Sequence, residues 1–246
     1  MKKIIEHLHA EWYKYLLEIL VITIGILGAF TLNNWNENRK DRNNEVYLLN
    51  RLHKEVVSDS LTLARYIDLN KGHEGRGDYL LNNLDNPAAN MDSIVSCVFF
   101  SGRFVWFQSS SPTYDEIVSS GRLGIIQNDS LKNLISSYYG RLESYVNFQF
   151  YESREIKAEY NRHKNRYFDL SMMTDYWKAK GAFIAVDSMS QYLLDWDGFR
   201  QDPETPIHLR NSRGVNRELS YQYATGHMNR LHNLLTAIRK EIKEVQ

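Results

Sequence analysis

Residues 12–32 read WYKYLLEILVITIGILGAFTL. From Tyr15 to Leu32 the one charged residue is Glu18. As an α-helix that run rises about 27 Å at ~1.5 Å per residue, close to the ~30 Å hydrocarbon core of a bilayer. Trp12 and Tyr13 stand at one end and Trp35 just beyond the other. Aromatic side chains at both ends of an apolar run suit the two headgroup layers. Trp12, Tyr13, Lys14, Glu18 and Trp35 are therefore the candidate membrane-interface residues, and membrane lipid is the implied partner. Lys14, four residues before Glu18, shares its helix face and neutralises it near headgroup level.

Two other readings compete. A core helix of a soluble protein rarely runs this long with one charge. A cleaved signal peptide fits the Lys2-Lys3 start, but its apolar stretch is usually ~7–15 residues. The best small-residue pairs for cleavage, Leu27/Ala29 and Ala29/Thr31, are poor. An uncleaved anchor is the expectation. Gly25 and Ala29, with Gly28 alongside, form a small-xxx-small face that lets helices approach closely in lipid. These three are the candidate transmembrane packing residues, and they point to a homo-oligomer or a partner helix.

The 246 residues hold 30 Lys+Arg and 30 Asp+Glu, a net charge of zero, so no basic excess points to nucleic acid. Cys97 is the only cysteine, which excludes an intrachain disulfide and a thiolate metal cluster. Beyond the span, NNWNENRKDRNN (33–44) is polar and free of Pro and Gly, so it continues the helix as a solvated stalk. Val46, Leu49, Leu52, Val56, Leu63 and Ile67 then return at helical spacing. This long helix is expected to end near Lys71-Gly72, with Gly75 and Gly77 as a flexible joint.

Short helices are expected at 78–84 and after Ser111, the latter capped by Ser111, begun by Pro112 and closed by Gly121, with a further apolar stretch at 92–100. Asn128 or Asp129 starts a long segment, roughly 130–170. Its stripe is Leu131, Leu134, Ile135, Tyr138, Leu142, Tyr145 and Val146, and its charged far end, EYNRHKNR, reads as solvated. A further helix is expected at 187–196, ending in the loop DGFRQDPETP. The last segment carries a heptad seam: Ala224, Met228, Leu231, Leu235, Ile238, Ile242 and Val245. RFVWF is the only strand candidate. The fold class is all-α: one N-terminal transmembrane helix continuing into a bundle of about three long helices plus short ones. The segments are 1–11, a short start; 12–32, the span; 33–44, the stalk; and 45–246, a soluble helical domain.

No catalytic, metal or cofactor motif emerges. HEXXH, a P-loop, G-x-S-x-G and G-x-G-x-x-G are absent, and GHEGRG at Gly72 follows no strand. His227 and His232 are five apart and do not share a face. Glu159 and His163 do, without a second pair to complete a bundle site. Tyr138, Arg141 and Tyr145 are the candidate lining of an anion or aromatic-ligand pocket.

The stretch KYLLEILVITIGILGAFTLNNWNENRKDRN resembles the start of uncharacterised single-pass membrane proteins of Bacteroidota-type Gram-negative bacteria. The matching residues are Glu18, Gly25, Asn33, Asn34, Trp35, Asn36 and Glu37. A second block, TYDEIVSSGRLGIIQNDSLKNLISSYY, is similar to the same family's Tyr, Ser-Gly, Asn-Asp and closing Tyr. The resemblance covers about a quarter of the chain. It brings no activity and implies a bacterial inner-membrane location. Basic residues flank the span equally: Lys2, Lys3 and Lys14 before it, Arg39, Lys40 and Arg42 after it. The signal-anchor-like start favours a C-terminal domain in the periplasm over the cytoplasm. The expected function is a non-enzymatic sensory or scaffolding domain of the cell envelope. An enzyme with a site of dispersed residues, or a subunit of a larger envelope or defence complex, are the rival classes.

Overall fold

The apolar run and the stripe that follows it lie on one helix, α1 (Lys2–Asn83). The structure, a computed structural model, describes residues 2–169, 171 and 188–245. No proline interrupts α1, so nothing removes a backbone donor along its length. Every side chain described between Trp12 and Asp41 is exposed, and Glu45 is the first that is fully buried. From there Leu48, Leu49, Leu52, Val56 and Leu63 enter the core.

The expected joint at Lys71–Gly77 is not there; the helix runs straight on to Asn83. Gly77 has another use. A Cβ on it would stand 3.2 Å from the Cβ of Arg213, so the missing side chain lets another helix cross closely.

Helix α2 (Met91–Ser101) is capped by Asn90, whose side chain accepts from the Ser93 amide at 2.9 Å. RFVWF then runs extended, without a sheet. Asn70 of α1 supplies the missing strand edge: its Oδ1 accepts from Val105 N at 3.0 Å and its Nδ2 donates to Val105 O at 2.9 Å. The Phe107 amide donates to the Tyr223 hydroxyl at 2.9 Å.

Helix α3 (Pro112–Ser119) begins with proline as expected, but Ser111 does not cap it; its hydroxyl donates to Asp115. Glu55, reaching across from α1, accepts from the Thr113 amide at 3.1 Å and from the Thr113 hydroxyl. Gly121 follows with φ of 68°, a left-handed conformation that favours glycine.

Helix α4 (Asp129–Lys164) is capped by Asn128 and stops six residues short of the expected 170. Leu131, Ile135 and Tyr138 are buried; the side chains of Leu142, Tyr145 and Val146 lie outside the described residues. Its far end is solvated on one face only. Tyr160, His163 and Lys164 are all buried, and the charged letters around them hid this i, i+3, i+4 face.

The region after residue 187 also differs from expectation, and Asp187 itself lies outside the described residues. Ser190–Tyr192 is a short 3₁₀ turn, and Leu193 makes an isolated bridge with Phe168. The helix, α5 (Trp196–Gln201), falls where a loop was expected. Asp195 caps it by accepting from the Gly198 amide at 2.8 Å.

Helix α6 (Thr205–Gln222), a π-helical turn (Tyr223–His227) and α7 (Met228–Val245) form one rod that packs along α1. The all-α class holds: the described residues form three long helical rods, α1, α4 and α6–α7, with short helices between. Leu231, Leu235 and Ile238 of the heptad seam, with Leu234, lie in the main core against α1 and α4. A second core gathers Leu80, Ile94, Phe99, Tyr160, Phe168, Phe199 and Leu209 at the opposite end of the bundle from residue 45. Where α1 enters the bundle, Arg42 pairs with Glu45 and lies 3.7 Å from Glu241 of α7. Glu45 also accepts from the Gln127 amide, and Glu241 from Asn128. The stalk is thereby tied to the end of α7 and the start of α4.

Candidate functional site

Helices α4 and α6 run antiparallel and leave a groove between them. It encloses about 730 Å³ between residues 149–159 of α4 and 210–219 of α6, a volume in the range of small-molecule sites. Ile156, Val215 and Leu219 line its apolar part. Glu155, Glu159 and Glu218 stand on its rim against one cation, Arg210, so the rim is acidic. Gly214 also lines it, where a Cβ would meet nothing within 4 Å.

About one helical turn beyond Glu159 on α4 and about half a turn before Arg210 on α6, the two helices bring His163 and His208 together, their ring centroids 4.7 Å apart. His163 Nε2 lies 2.6 Å from the Thr205 hydroxyl, and that hydroxyl donates to the Phe199 carbonyl at 2.6 Å. Thr205 has one proton and has given it away, so it accepts from Nε2–H. The Nδ1 lone pair of His163 is thus free to accept, and Arg166 Nη2 donates to it. Arg166 Nη2 also meets Glu204 Oε2 at 2.8 Å. Glu204 Oε2 and Asp202 Oδ2 stand 3.7 Å and 3.9 Å from the same Nδ1.

Asp202 accepts from the Tyr167 hydroxyl at 2.6 Å and from the Glu204 amide at 2.8 Å, which opens the turn into α6. Those hydrogen bonds, the Tyr167 one foremost, hold its carboxyl below the usual carboxylate range. Burial, then the neighbouring His208, pushes the His163 imidazole down, so it stays neutral at physiological pH.

A second cluster sits beside the second core. The Lys164 ammonium packs 5.9 Å from the Phe99 ring centroid and 5.8 Å from that of Tyr160. Burial, then Arg103 and Lys157, brings its pKa down from 10.5 to about 8.

The residues singled out from the sequence are dispersed. Tyr138 is buried in the main core and Arg141 is exposed, while the side chain of Tyr145 lies outside the described residues. Gly25, Gly28 and Ala29 lie on the exposed span, and a Cβ on either glycine meets nothing within 4 Å. Trp12, Tyr13, Lys14, Glu18 and Trp35 are exposed, and Arg39 stacks over Trp35 at 5.8 Å. What the sequence reading missed is the His163–Glu204–His208 group. A signal for it was present: Glu204 and His208 are i, i+4, as Glu159 and His163 are.

Fold and site define a helical-bundle protein with, among the described residues, one helix long and apolar enough to cross a membrane. The chain belongs to the family of unknown function DUF6090, matched over residues 18–174. The matched region takes in α1 from Glu18 and all of α4, one wall of the groove; α6 lies beyond it. No curated protein and no solved structure matches the chain.

Proposed function

We propose that this protein is a membrane-anchored helical domain with a sensory or scaffolding role in the bacterial cell envelope. One observation carries the reading: the described side chains of the span are all exposed in the folded chain, yet the span is continuous with the helix that organises the bundle. Side chains such as Ile22, Leu27 and Phe30 are 55%, 60% and 66% exposed. An unbroken apolar surface of this length in water is a liability that lipid removes. A core helix would instead be buried, and none of the described side chains of the span is. Because α1 has no break, a displacement at the membrane reaches the bundle through a rigid element. The groove between α4 and α6 is where a ligand or partner would be read.

The chain sits in the inner membrane with its N-terminus inside and its bundle in the periplasm, as an oligomer. Alkaline carbonate washing should leave the full chain in the membrane pellet, with residues 1–32 present in its intact mass. Release into the wash, or a mature start near Thr31, would overturn the anchor. Alkaline phosphatase fused after Gln246 should be active and a fluorescent protein dark; the reverse places the bundle in the cytoplasm.

A further inference from the structure

We propose that His163, His208 and Glu204 form a binding site for a divalent transition metal of the zinc class, in which Arg166 is the resident cation that the metal displaces. This goes beyond the anchoring role and does not depend on it. One ligand atom from each of the three residues lies within 4.8 Å of the other two. Two imidazole nitrogens and one carboxylate oxygen suit zinc or a neighbouring first-row ion better than calcium or magnesium, which take oxygen ligands.

Three further features set the group apart from exposed histidines that happen to be close. First, the tautomer of His163 is fixed. Its Nε2–H donates to Thr205, which is anchored to the Phe199 carbonyl, so Nδ1 presents a lone pair in a set direction. Metal-ligating histidines are held in this way, with the second ring nitrogen donating to an outer partner.

Second, a cation already occupies the position. Arg166 Nη2 contacts both His163 Nδ1 and Glu204 Oε2, two of the three ligand atoms, and lies 3.7 Å from Asp202 Oδ2. The pocket is thus built around positive charge, and Asp202 adds a second carboxylate beside it.

Third, exchange is sterically open. His163 is buried, but the Arg166 and Glu204 side chains are 50% and 58% exposed. Arg166 can swing into solvent while Glu204 turns to the metal, and the solvent side leaves a coordination position for water. A bound ion would cross-link the end of α4 to the start of α6, across the end of the groove.

The test uses the full chain in detergent micelles, titrated with Co²⁺ and then with Zn²⁺ in competition. Wild type should bind one Co²⁺ with the visible d–d bands of a nitrogen–oxygen site and no thiolate charge-transfer band. His208→Ala and Glu204→Gln, on a half-buried and an exposed side chain, should each weaken binding by about tenfold or more. Arg166→Gln should tighten it severalfold, because the competing cation is gone. Circular dichroism confirms that each variant is folded. Zn²⁺ should raise the melting temperature of wild type and leave that of His208→Ala unmoved. The proposal fails if neither wild type nor Arg166→Gln binds at submillimolar metal. It fails equally if His208→Ala and Glu204→Gln bind like wild type, or if Arg166→Gln binds no tighter.

Discussion

The ring of Tyr160 fills the place a side chain at Gly102 would need: a Cβ there would stand 2.2 Å from Cδ1 and 2.4 Å from Cε1 of that ring. The backbone of Gly102, at φ −86° and ψ 13°, is open to other residues, so space and not conformation selects glycine. Tyr160 cannot retreat. It is fully buried, its hydroxyl is 2.8 Å from the Val98 carbonyl and 2.7 Å from Ser101 Oγ, and α4 fixes its backbone. Gly102→Ala should therefore cost about 1–3 kcal/mol or more, read as a lower urea midpoint. A midpoint equal to wild type would mean that α2 and α4 can separate freely at this crossing.

The membrane-length run, the entry of α1 at Glu45 and the core role of Leu231 and Ile238 follow from apolar spacing, which the sequence displays openly. Helix α6 was invisible for a physical reason. Its buried face is Thr205, Leu209, Ser212, Asn216, Leu219 and Ser220, spaced as a helix requires but mostly polar. Backbone carbonyls meet part of that face: Asn216 donates to the Ser101 and Ser212 carbonyls, and Thr205 to that of Phe199, while Ser212 Oγ and Asn216 Oδ1 are buried without a hydrogen-bond partner. A hydrophobic count cannot see such a stripe. Gly77 was misread because glycine signals both a joint and a close crossing, and only the partner, Arg213, decides between them. The His163 site depends on residues 41 to 45 positions apart meeting through the antiparallel return of α6, which local spacing does not encode.

His73 and His227 are buried, and desolvation pushes each imidazole from 6.5 down to about 4. At His73 the hydrogen bond to the Arg103 backbone opposes this, while the Arg76 and Arg103 charges beside it, and Arg230 beside His227, act in the same direction as burial. The unfolded chain takes up these protons near 6.5 while the folded chain resists until about 4. Stability is therefore intact above 6.5 and falls as the pH drops through that window, by about 1.4 kcal/mol per pH unit for each histidine. His73→Asn keeps a donor for the Arg103 carbonyl, 2.9 Å from His73 Nδ1, and should reduce the slope by one histidine's share. Urea midpoints at three pH values across the window measure it; an unchanged slope would place the acid sensitivity elsewhere.

Lys164 poses the converse case at alkaline pH. Its folded pKa of about 8 lies below the 10.5 of the free side chain, so below 8 the fold carries the full burden of a buried charge. As pH rises from 8 toward 10.5 the folded chain releases the proton first and stability increases. Lys164→Met keeps the volume against Phe99 and Tyr160 without the charge. It should be more stable than wild type at pH 7 by roughly 1–3 kcal/mol, with the gap narrowing above pH 8. A variant less stable at both pH values would show that the ring contacts outweigh the desolvation.

Association of the full chain should depend on the span. Helices in lipid gain no hydrophobic drive from meeting, so close packing at small residues must supply the attraction. Gly25, Gly28 and Ala29 offer that face, and within one chain nothing touches a Cβ added at either glycine. Gly25→Leu therefore leaves the fold and the membrane hydrophobicity intact while blocking backbone approach between copies. In detergent or lipid, wild type should crosslink as an oligomer and Gly25→Leu should lose most of that product. Equal crosslinking of the two would move the assembly to the bundle, whose exposed faces α1 does not cover. A wild type that stays monomeric in lipid would leave the span as an anchor alone, and the groove between α4 and α6 would then be read by a different partner rather than a second copy.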